Sequence, residues 1–238
     1  MIGKEIHNFA RELWPLNRSL TGEGSRDTLK KIKDHLPGLV VHSVPSGTQV
    51  FDWTVPKEWH VREAYIITPS GEKICDFSEN NLHLLGYSSP HHGTVSLDEL
   101  KDHLFTLPEQ PDAIPYITSY YKERWGFCLA QKKFDLLEEG DYKVFIDSDL
   151  FQGELNYGEV ILPGMSQKEV VLSTYICHPS MANNELSGPT VTTYLGKWLS
   201  ELPDKRYTYR LIFVPETIGS ITYLSRNYRH MKEMVVAG

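Results

Sequence analysis

Two polar clusters in the second half of the sequence contain residue types suited to hydrolytic chemistry. His178 directly follows the apolar run 169–177, and Glu216 directly follows the apolar run 209–215. A neutral imidazole is a good zinc ligand, and a neighbouring carboxylate can accept a proton from water that a metal activates. This pair therefore indicates the site of a metal-dependent hydrolase.

The elements around these residues must bring them together. The run 169–177 has the nearly continuous apolar character of a strand buried on both faces. A helix from about Ser187 to Leu202, a strand over 209–215, a helix over 218–228 and a final strand from Val235 follow it. This alternation predicts an α/β domain, in which ligands bind at the carboxyl ends of the strands.

Both residues also have purely structural interpretations. His178 could cap the edge of a sheet, with the loop that follows it serving only as a helix N-cap. Glu216 could be a helix N-terminal residue that interacts favourably with the helix dipole. Spacing alone leaves these alternatives open.

The rest of the chain predicts an interrupted domain. Helices are expected over 6–14 and 28–35, the second capped by Ser25 or Asp27, and a strand over 39–44. Short β-like pieces separated by Pro, Gly and Asn then indicate a β-rich insertion. Helical segments are expected over 119–125 and 132–137, and two antiparallel strands around Gly153. We expect an α/β domain of residues 1–47 and 127–238 and an inserted β-rich domain of residues 48–126.

Composition excludes several classes of partner. The net charge of -7 argues against nucleic acid, and no apolar stretch approaches the roughly 20 residues that cross a membrane.

The three cysteines never form a CxxC pair, which favours a reduced cytoplasmic protein. We leave open whether the protein forms a homo-oligomer. Because the sequence stops at Gly238 inside a predicted strand, we expect a fragment; an edge strand that closes the sheet is the alternative.

Four segments carry a family resemblance: LWPLNRSLTGEG, YITSYYKERWGFC, STYICHPSMANNELSGP and YRLIFVPETIGSITYL. The last two resemble the di-zinc aminopeptidases. The whole chain is similar to bacterial aminopeptidase-like proteins with an inserted β domain, some of them associated with surface-polysaccharide gene sets. The resemblance implies a three-layer α/β sandwich of the zinc-aminopeptidase type, with the N-terminal helices covering one face of the sheet.

The resemblance also implies metal ligands. His178 matches the first zinc ligand, Asn184 stands where the zinc-bridging Asp is usual, and Glu185 falls on the next motif position. An Asn offers one neutral carbonyl oxygen and cannot bridge two ions as a carboxylate does. The alternatives for this chain are therefore one bound zinc ion, two bound zinc ions or no zinc.

Further roles follow from the same motifs. Glu216 matches the general base, Ser187 matches directly, and Thr217 stands where a second, metal-binding Glu is usual. We expect Ser187, Thr217 and Arg18 to contact substrate, although helix capping explains the loop around Arg18 equally well.

The resemblance implies hydrolysis of an amide bond in a peptide or other small amide-containing substrate, with an N-terminal peptide bond as the first expectation. An amidohydrolase acting on a sugar or peptidoglycan fragment is one alternative. The other is a catalytically weakened pseudo-peptidase that serves binding or assembly, which the departures at Asn184 and Thr217 favour.

Overall fold

The chain divides into two units, and a computed structural model describes residues 1–120 and 122–238. One unit comprises Met1–Glu58 and Gln152–Gly238, and the other comprises Trp59–Phe151. Both boundaries fall later in the chain than the expected positions after residues 47 and 126. The β-rich unit therefore also contains the segment 127–151.

The elements follow in chain order. They are α1 (Ile2–Leu13), α2 (Glu23–His35), β1 (Val40–Pro45), β2 (Gln49–Val50), β3 (Trp53–Thr54), β4 (Glu58–Ile67), β5 (Lys73–Ile74), a 3-10 turn (Asn81–His83), β6 (His91–Ser96), α3 (Leu97–Lys101), β7 (Leu104–Phe105), β8 (Phe127–Cys128), α4 (Gln131–Phe134), β9 (Asp141–Phe151), β10 (Glu154–Leu162), β11 (Ser166–Tyr175), α5 (Ser187–Glu201), β12 (Tyr207–Val214), α6 (Ile218–Met234) and β13 (Val235–Ala237). No helix among the described residues is both long and apolar enough to cross a bilayer.

The first unit is built on a five-stranded sheet of order β1-β10-β12-β11-β13. The strand β10 is antiparallel to both β1 and β12, whereas β11 is parallel to β12 and β13. The predicted alternation of strands and helices from 169 onward is confirmed. The segment from Val235 forms the edge strand β13 beside β11.

Helices cover both faces of this sheet. On β12, Leu211 and Phe213 lie in one apolar cluster with residues of α1, α2 and α5. Because successive strand side chains point to opposite faces, Arg210 points the other way and reaches Tyr223 of α6. The unit is thus a three-layer α/β sandwich, as predicted.

The second unit is rich in short strands. Its main sheet has the order β5-β4-β9-β6, and β7 and β8 form a separate parallel pair. The predicted antiparallel pairing across Gly153 is wrong, because β9 joins this sheet and β10 joins the sheet of the first unit. The predicted helix over 119–125 is also wrong for the described part of that segment, and Tyr121 lies outside the described residues.

The loop between α1 and α2 folds back on the start of α2. Helix α2 begins at Glu23, after Gly22 at φ 99°, rather than near Thr28 with a cap at Ser25 or Asp27. The Ser25 hydroxyl instead donates to the Ser19 carbonyl at 2.7 Å. A Cβ on Gly24 would lie 2.1 Å from the Asn17 carbonyl oxygen, so only glycine permits this approach.

Candidate metal-hydrolase site

The register of two parallel strands places the candidate site. Tyr175 at the end of β11 is paired with Val214 at the end of β12. The next backbone bond, from Ile176 N–H to the Val214 carbonyl at 2.9 Å, keeps the two segments adjacent beyond the strands. His178 and Glu216 follow immediately, so both side chains leave the same edge of the sheet.

The His178 imidazole lies between two carboxylates. Its Nε2 atom is 2.9 Å from Oε2 of Glu216, and its Nδ1 atom is 3.1 Å from Oε1 of Glu185. The His178 residue is 5% exposed, whereas the Glu216 side chain is 43% exposed. Burial lowers the pKa of His178, while Glu216 raises it and Arg18 lowers it further. The ring is therefore favoured in its neutral, metal-binding form.

Glu185 turns inward instead of facing the solvent. Its Oε2 atom accepts a hydrogen bond from the Cys177 backbone N–H at 2.5 Å, and the His178 backbone N–H also bonds to the carboxylate. Burial raises the pKa of Glu185 to about 7, although these two backbone donors and Arg18 lower it. The carboxylate thus contacts both the backbone and the ring of the histidine segment.

Cys177 connects the two polar segments. Its Sγ atom accepts a hydrogen bond from the Glu216 backbone N–H at 3.1 Å. Burial and Glu185 raise the pKa of the thiol, which keeps it protonated. Cys177 therefore supports the backbone position of Glu216.

Arg18 is a buried cation beside this cluster. It is 1% exposed, and its Nη1 donates to the Leu13 carbonyl, while Nε and Nη2 make no hydrogen bond with the described residues. Burial lowers its pKa to about 10, and Glu185 and Cys177 raise it. The residue expected to contact substrate is therefore enclosed.

A pocket of about 410 Å³ lies at the start of α5, beside the end of β11. The lining residues are mostly hydroxyl and amide side chains: Ser173, Thr174, Tyr175, Asn183, Asn184, Glu185, Ser187, Gly188 and Pro189. The expected substrate residue Ser187 is among them, and its hydroxyl donates to the Asn183 carbonyl at 2.5 Å.

Sequence reasoning missed Tyr175. This side chain is 40% exposed, and its ring centroid lies 6.3 Å from that of His178. Alternation along β11 was the available signal, since Ser173 and Tyr175 share one face of the strand.

Unusual backbone conformations gather in the two loops. Ser180, Glu185 and Thr217 have φ values of 39°, 74° and 53°, which non-glycine residues seldom adopt. Thr217, expected to contact substrate, is exposed and directly precedes α6. Such strain persists where the surroundings require it, and it is typical of functional sites.

The donor types in the two loops are those that a divalent cation accepts. The Asn184 Oδ1 atom is buried and has no hydrogen-bond partner among the described residues, as expected of an oxygen that awaits a cation. His178 Nε2 and a Glu216 oxygen, 2.9 Å apart, are nitrogen and oxygen donors of the types that zinc accepts.

On the other side of the ring, Cys177, His178 and Glu185 offer ligand atoms within 4.8 Å of one another. All three are buried there. Both sides of the ring therefore present ligand types that a cation accepts.

The chain belongs to the family described as "Domain of unknown function (DUF4910)", whose model matches residues 7–238. It is 54% identical over 232 residues to a Clostridium acetobutylicum protein named as a polysaccharide biosynthesis protein with an aminopeptidase-like domain. The alignment covers 98% of this chain and 53% of that protein.

Solved structures show the same fold. A crystal structure described as a peptidase from Clostridium acetobutylicum matches with a TM-score of 0.95 and 53% identity, covering 99% of this chain and 56% of the other. A zinc aminopeptidase from Bacillus subtilis matches with a TM-score of 0.64 and 11% identity, covering 98% and 66%. The predicted aminopeptidase-like fold is confirmed, and this chain spans about half the length of its two Clostridium relatives.

Proposed function

We propose that this chain carries part of the active site of a zinc-dependent amide hydrolase of the aminopeptidase type. The observation that carries the proposal is the His178–Glu216 contact of 2.9 Å at the carboxyl ends of neighbouring parallel strands. The buried Asn184 oxygen in the loop after His178, which has no hydrogen-bond partner among the described residues, supports a cation ligand in this loop.

Each residue has a defined task. His178 Nε2 and Asn184 Oδ1 would hold the ion. A bound zinc ion polarises a carbonyl group and makes water a stronger nucleophile. Glu216, which is partly exposed, takes the proton of the attacking water and returns it to the leaving amine.

Two substrate classes fit this chemistry. An N-terminal peptide bond is the first candidate, since the fold is that of a zinc aminopeptidase. An amide on a sugar or peptidoglycan fragment is the second, favoured by the name of the 54% identical relative. We also propose a cytoplasmic protein without nucleic-acid or membrane partners, supported by its three free, buried cysteines and its net charge. We also propose that the protein can form a homo-oligomer, and light scattering would measure its oligomeric state.

Hydrolysis assays test the proposal. The zinc-loaded full-length protein is offered aminoacyl chromogenic amides in one arm and N-acylated amino sugars in the other. We expect turnover in one arm and a loss of kcat of about 10²- to 10⁴-fold in Glu216→Gln. The matched control is Glu201→Gln, at the exposed C-terminal end of α5, which should keep wild-type turnover.

Zinc binding without turnover in either arm would contradict the enzyme proposal and favour a binding or assembly role. Undiminished turnover in Glu216→Gln would remove this residue from the mechanism.

A further inference from the structure

The second, β-rich unit contains a cavity of about 540 Å³. It lies among the turn between β4 and β5, the 3-10 turn and helix α4 with the loop that follows it. We propose that this cavity binds a small organic cation, with an apolar body on the cavity floor and an ammonium group at the mouth. This second site does not depend on the proposed hydrolase activity.

The size and the lining of the cavity are those of a small-molecule site. Such sites usually occupy about 300–1,000 Å³ and have mostly apolar walls with a few polar groups. Five apolar side chains line this cavity: Ile74, Cys75, Ile114, Leu129 and Leu137. Cys75 and Leu129 are buried, whereas the other three are only half-buried. An apolar ligand would therefore remove the half-buried side chains from water, which is favourable.

Two walls of the cavity are fixed by the fold. The turn between β4 and β5 is closed by a hydrogen bond of 2.9 Å from the Thr68 N–H to the Glu72 carbonyl. Opposite this bond, Gly140 has a φ of 147°, and a Cβ at this position would lie 2.6 Å from Cγ of Pro69. Glycine thus allows the segment after α4 to approach the turn. Because these walls exist before a ligand arrives, binding needs little ordering of the chain.

Charges at the mouth of the cavity determine the class of ligand. Two lining charges are already paired, since Lys73 Nζ lies 2.7 Å from Asp76 Oδ2 and Asp112 Oδ1 lies 2.7 Å from Lys132 Nζ. The other charged side chains of the lining are exposed and have no ion pair among the described residues: Glu72, Glu79, Glu138 and Lys133. Three carboxylates against one ammonium give an excess of negative charge, which favours a cation over an anion.

His83 adds a hydrogen-bond acceptor to the lining. Its Nδ1 atom lies 2.8 Å from the Cys128 carbonyl oxygen, which can only accept, so Nδ1 carries the proton. In the neutral ring Nε2 is then an acceptor, which suits the N–H group of an ammonium ion.

Cys75 on the cavity floor has an unusual backbone conformation. Its φ of 51° is rare for a residue other than glycine, and such strain is typical of functional sites. Burial raises the pKa of its thiol to about 12, so the side chain stays uncharged. The floor therefore suits the apolar part of a ligand.

Three probes of similar shape test the class of ligand: phenylbutylamine, phenylbutanol and phenylbutyrate. They are titrated into the full-length protein with ¹³C-labelled isoleucine methyl groups, and Ile74→Val and Ile114→Val assign two signals of the cavity. We expect the amine to shift both signals with a Kd of about 1 mM or tighter and to bind best of the three probes. Ile161, exposed on β10 of the first unit, is the control and should not shift.

Charge variants test the mouth of the cavity. The triple variant Glu72→Gln, Glu79→Gln and Glu138→Gln should weaken amine binding about 3- to 10-fold and leave binding of the alcohol unchanged, because only the amine is attracted by these carboxylates. A second triple variant makes the same change in net charge at exposed positions of the first unit: Glu12→Gln, Glu201→Gln and Glu233→Gln. This control should keep the wild-type affinity for the amine.

Three results would overturn the inference. If no probe shifts the signals of Ile74 and Ile114, the cavity is not a binding site for such molecules. Equal affinity for the three probes, or tightest binding of the carboxylate, would exclude a preference for cations. An equal loss of amine affinity in both triple variants would show that the three carboxylates at the mouth have no specific role.

Discussion

His178 Nε2 lies 2.9 Å from a carboxylate oxygen of Glu216, although 38 positions separate the two residues in the sequence. The parallel pairing of β11 with β12 produces this proximity, since Tyr175 is aligned with Val214. Each polar residue follows its strand end within three positions. The contact therefore depends on sheet register, and changes that disturb the strand ends should disturb the site.

Gly188 tests how closely α5 approaches β11. A Cβ at this position would lie 2.3 Å from the Thr174 Oγ1 atom. We expect Gly188→Ala to lower the free energy of unfolding by about 1–3 kcal/mol, the usual cost of overpacking, as measured by urea denaturation.

Two variants check the cause of this effect. Gly3→Ala in α1 is the control, because no atom lies within 4 Å of the added methyl group. Thr174→Ala combined with Gly188→Ala should restore much of the stability. Equal stabilities of Gly188→Ala and Gly3→Ala would show that the approach is looser than described.

Arg210 lies on the face of the sheet that packs against α6, and its substitution tests the ion pairs on that face. Its guanidinium bonds to Glu169 at 2.7 and 2.8 Å and to Glu159 at 2.5 Å. Arg210→Met leaves two poorly exposed carboxylates without their cation, and should cost about 3–5 kcal/mol of unfolding free energy. The control Arg229→Met, on the exposed part of α6, should change stability by less than about 0.5 kcal/mol. A similar loss in both variants would contradict this assignment.

The lowered pKa of Glu169 predicts how the free energy of unfolding changes at acid pH. The hydrogen bond from Arg210, assisted by His230, lowers its pKa below the ordinary 4.5. The unfolded state therefore binds the proton more readily, so this stabilisation is complete above about pH 5 and is lost as the pH falls through the folded-state pKa. Urea denaturation of wild type and Glu169→Gln across this range should show a stability difference that narrows towards acid. A constant difference would contradict the predicted linkage.

The polar residues at the strand ends could be predicted from the sequence, whereas the buried contacts inside the site could not. His178 and Glu216 follow long apolar runs, so their convergence could be predicted from periodicity and chain direction. The inward turn of Glu185 could not be predicted, because it depends on a φ of 74° and on backbone donors that only the folded loop presents. Arg18 was missed as a buried charge for a similar reason: its enclosure depends on long-range packing.

The pairing of strands into sheets could not be predicted from local sequence either. The segments around Gly153 both have strand patterns, and local sequence favours pairing them with each other. Their actual partners lie far away in the sequence: β10 pairs with β1 and β12, whereas β9 lies between β4 and β6. Alternation of side chains predicts a strand but does not specify its neighbour.

Zinc titration of the wild-type protein and His178→Ala tests the central claim most directly. Competition with a chromophoric chelator measures the affinity, and His7→Ala, on the exposed face of α1, is the control. We predict that wild type and His7→Ala bind zinc equally, and that His178→Ala loses more than about 10-fold in affinity because it lacks a direct ligand. No zinc binding by the wild-type protein, or equal affinity in His178→Ala, would contradict a metal site centred on His178.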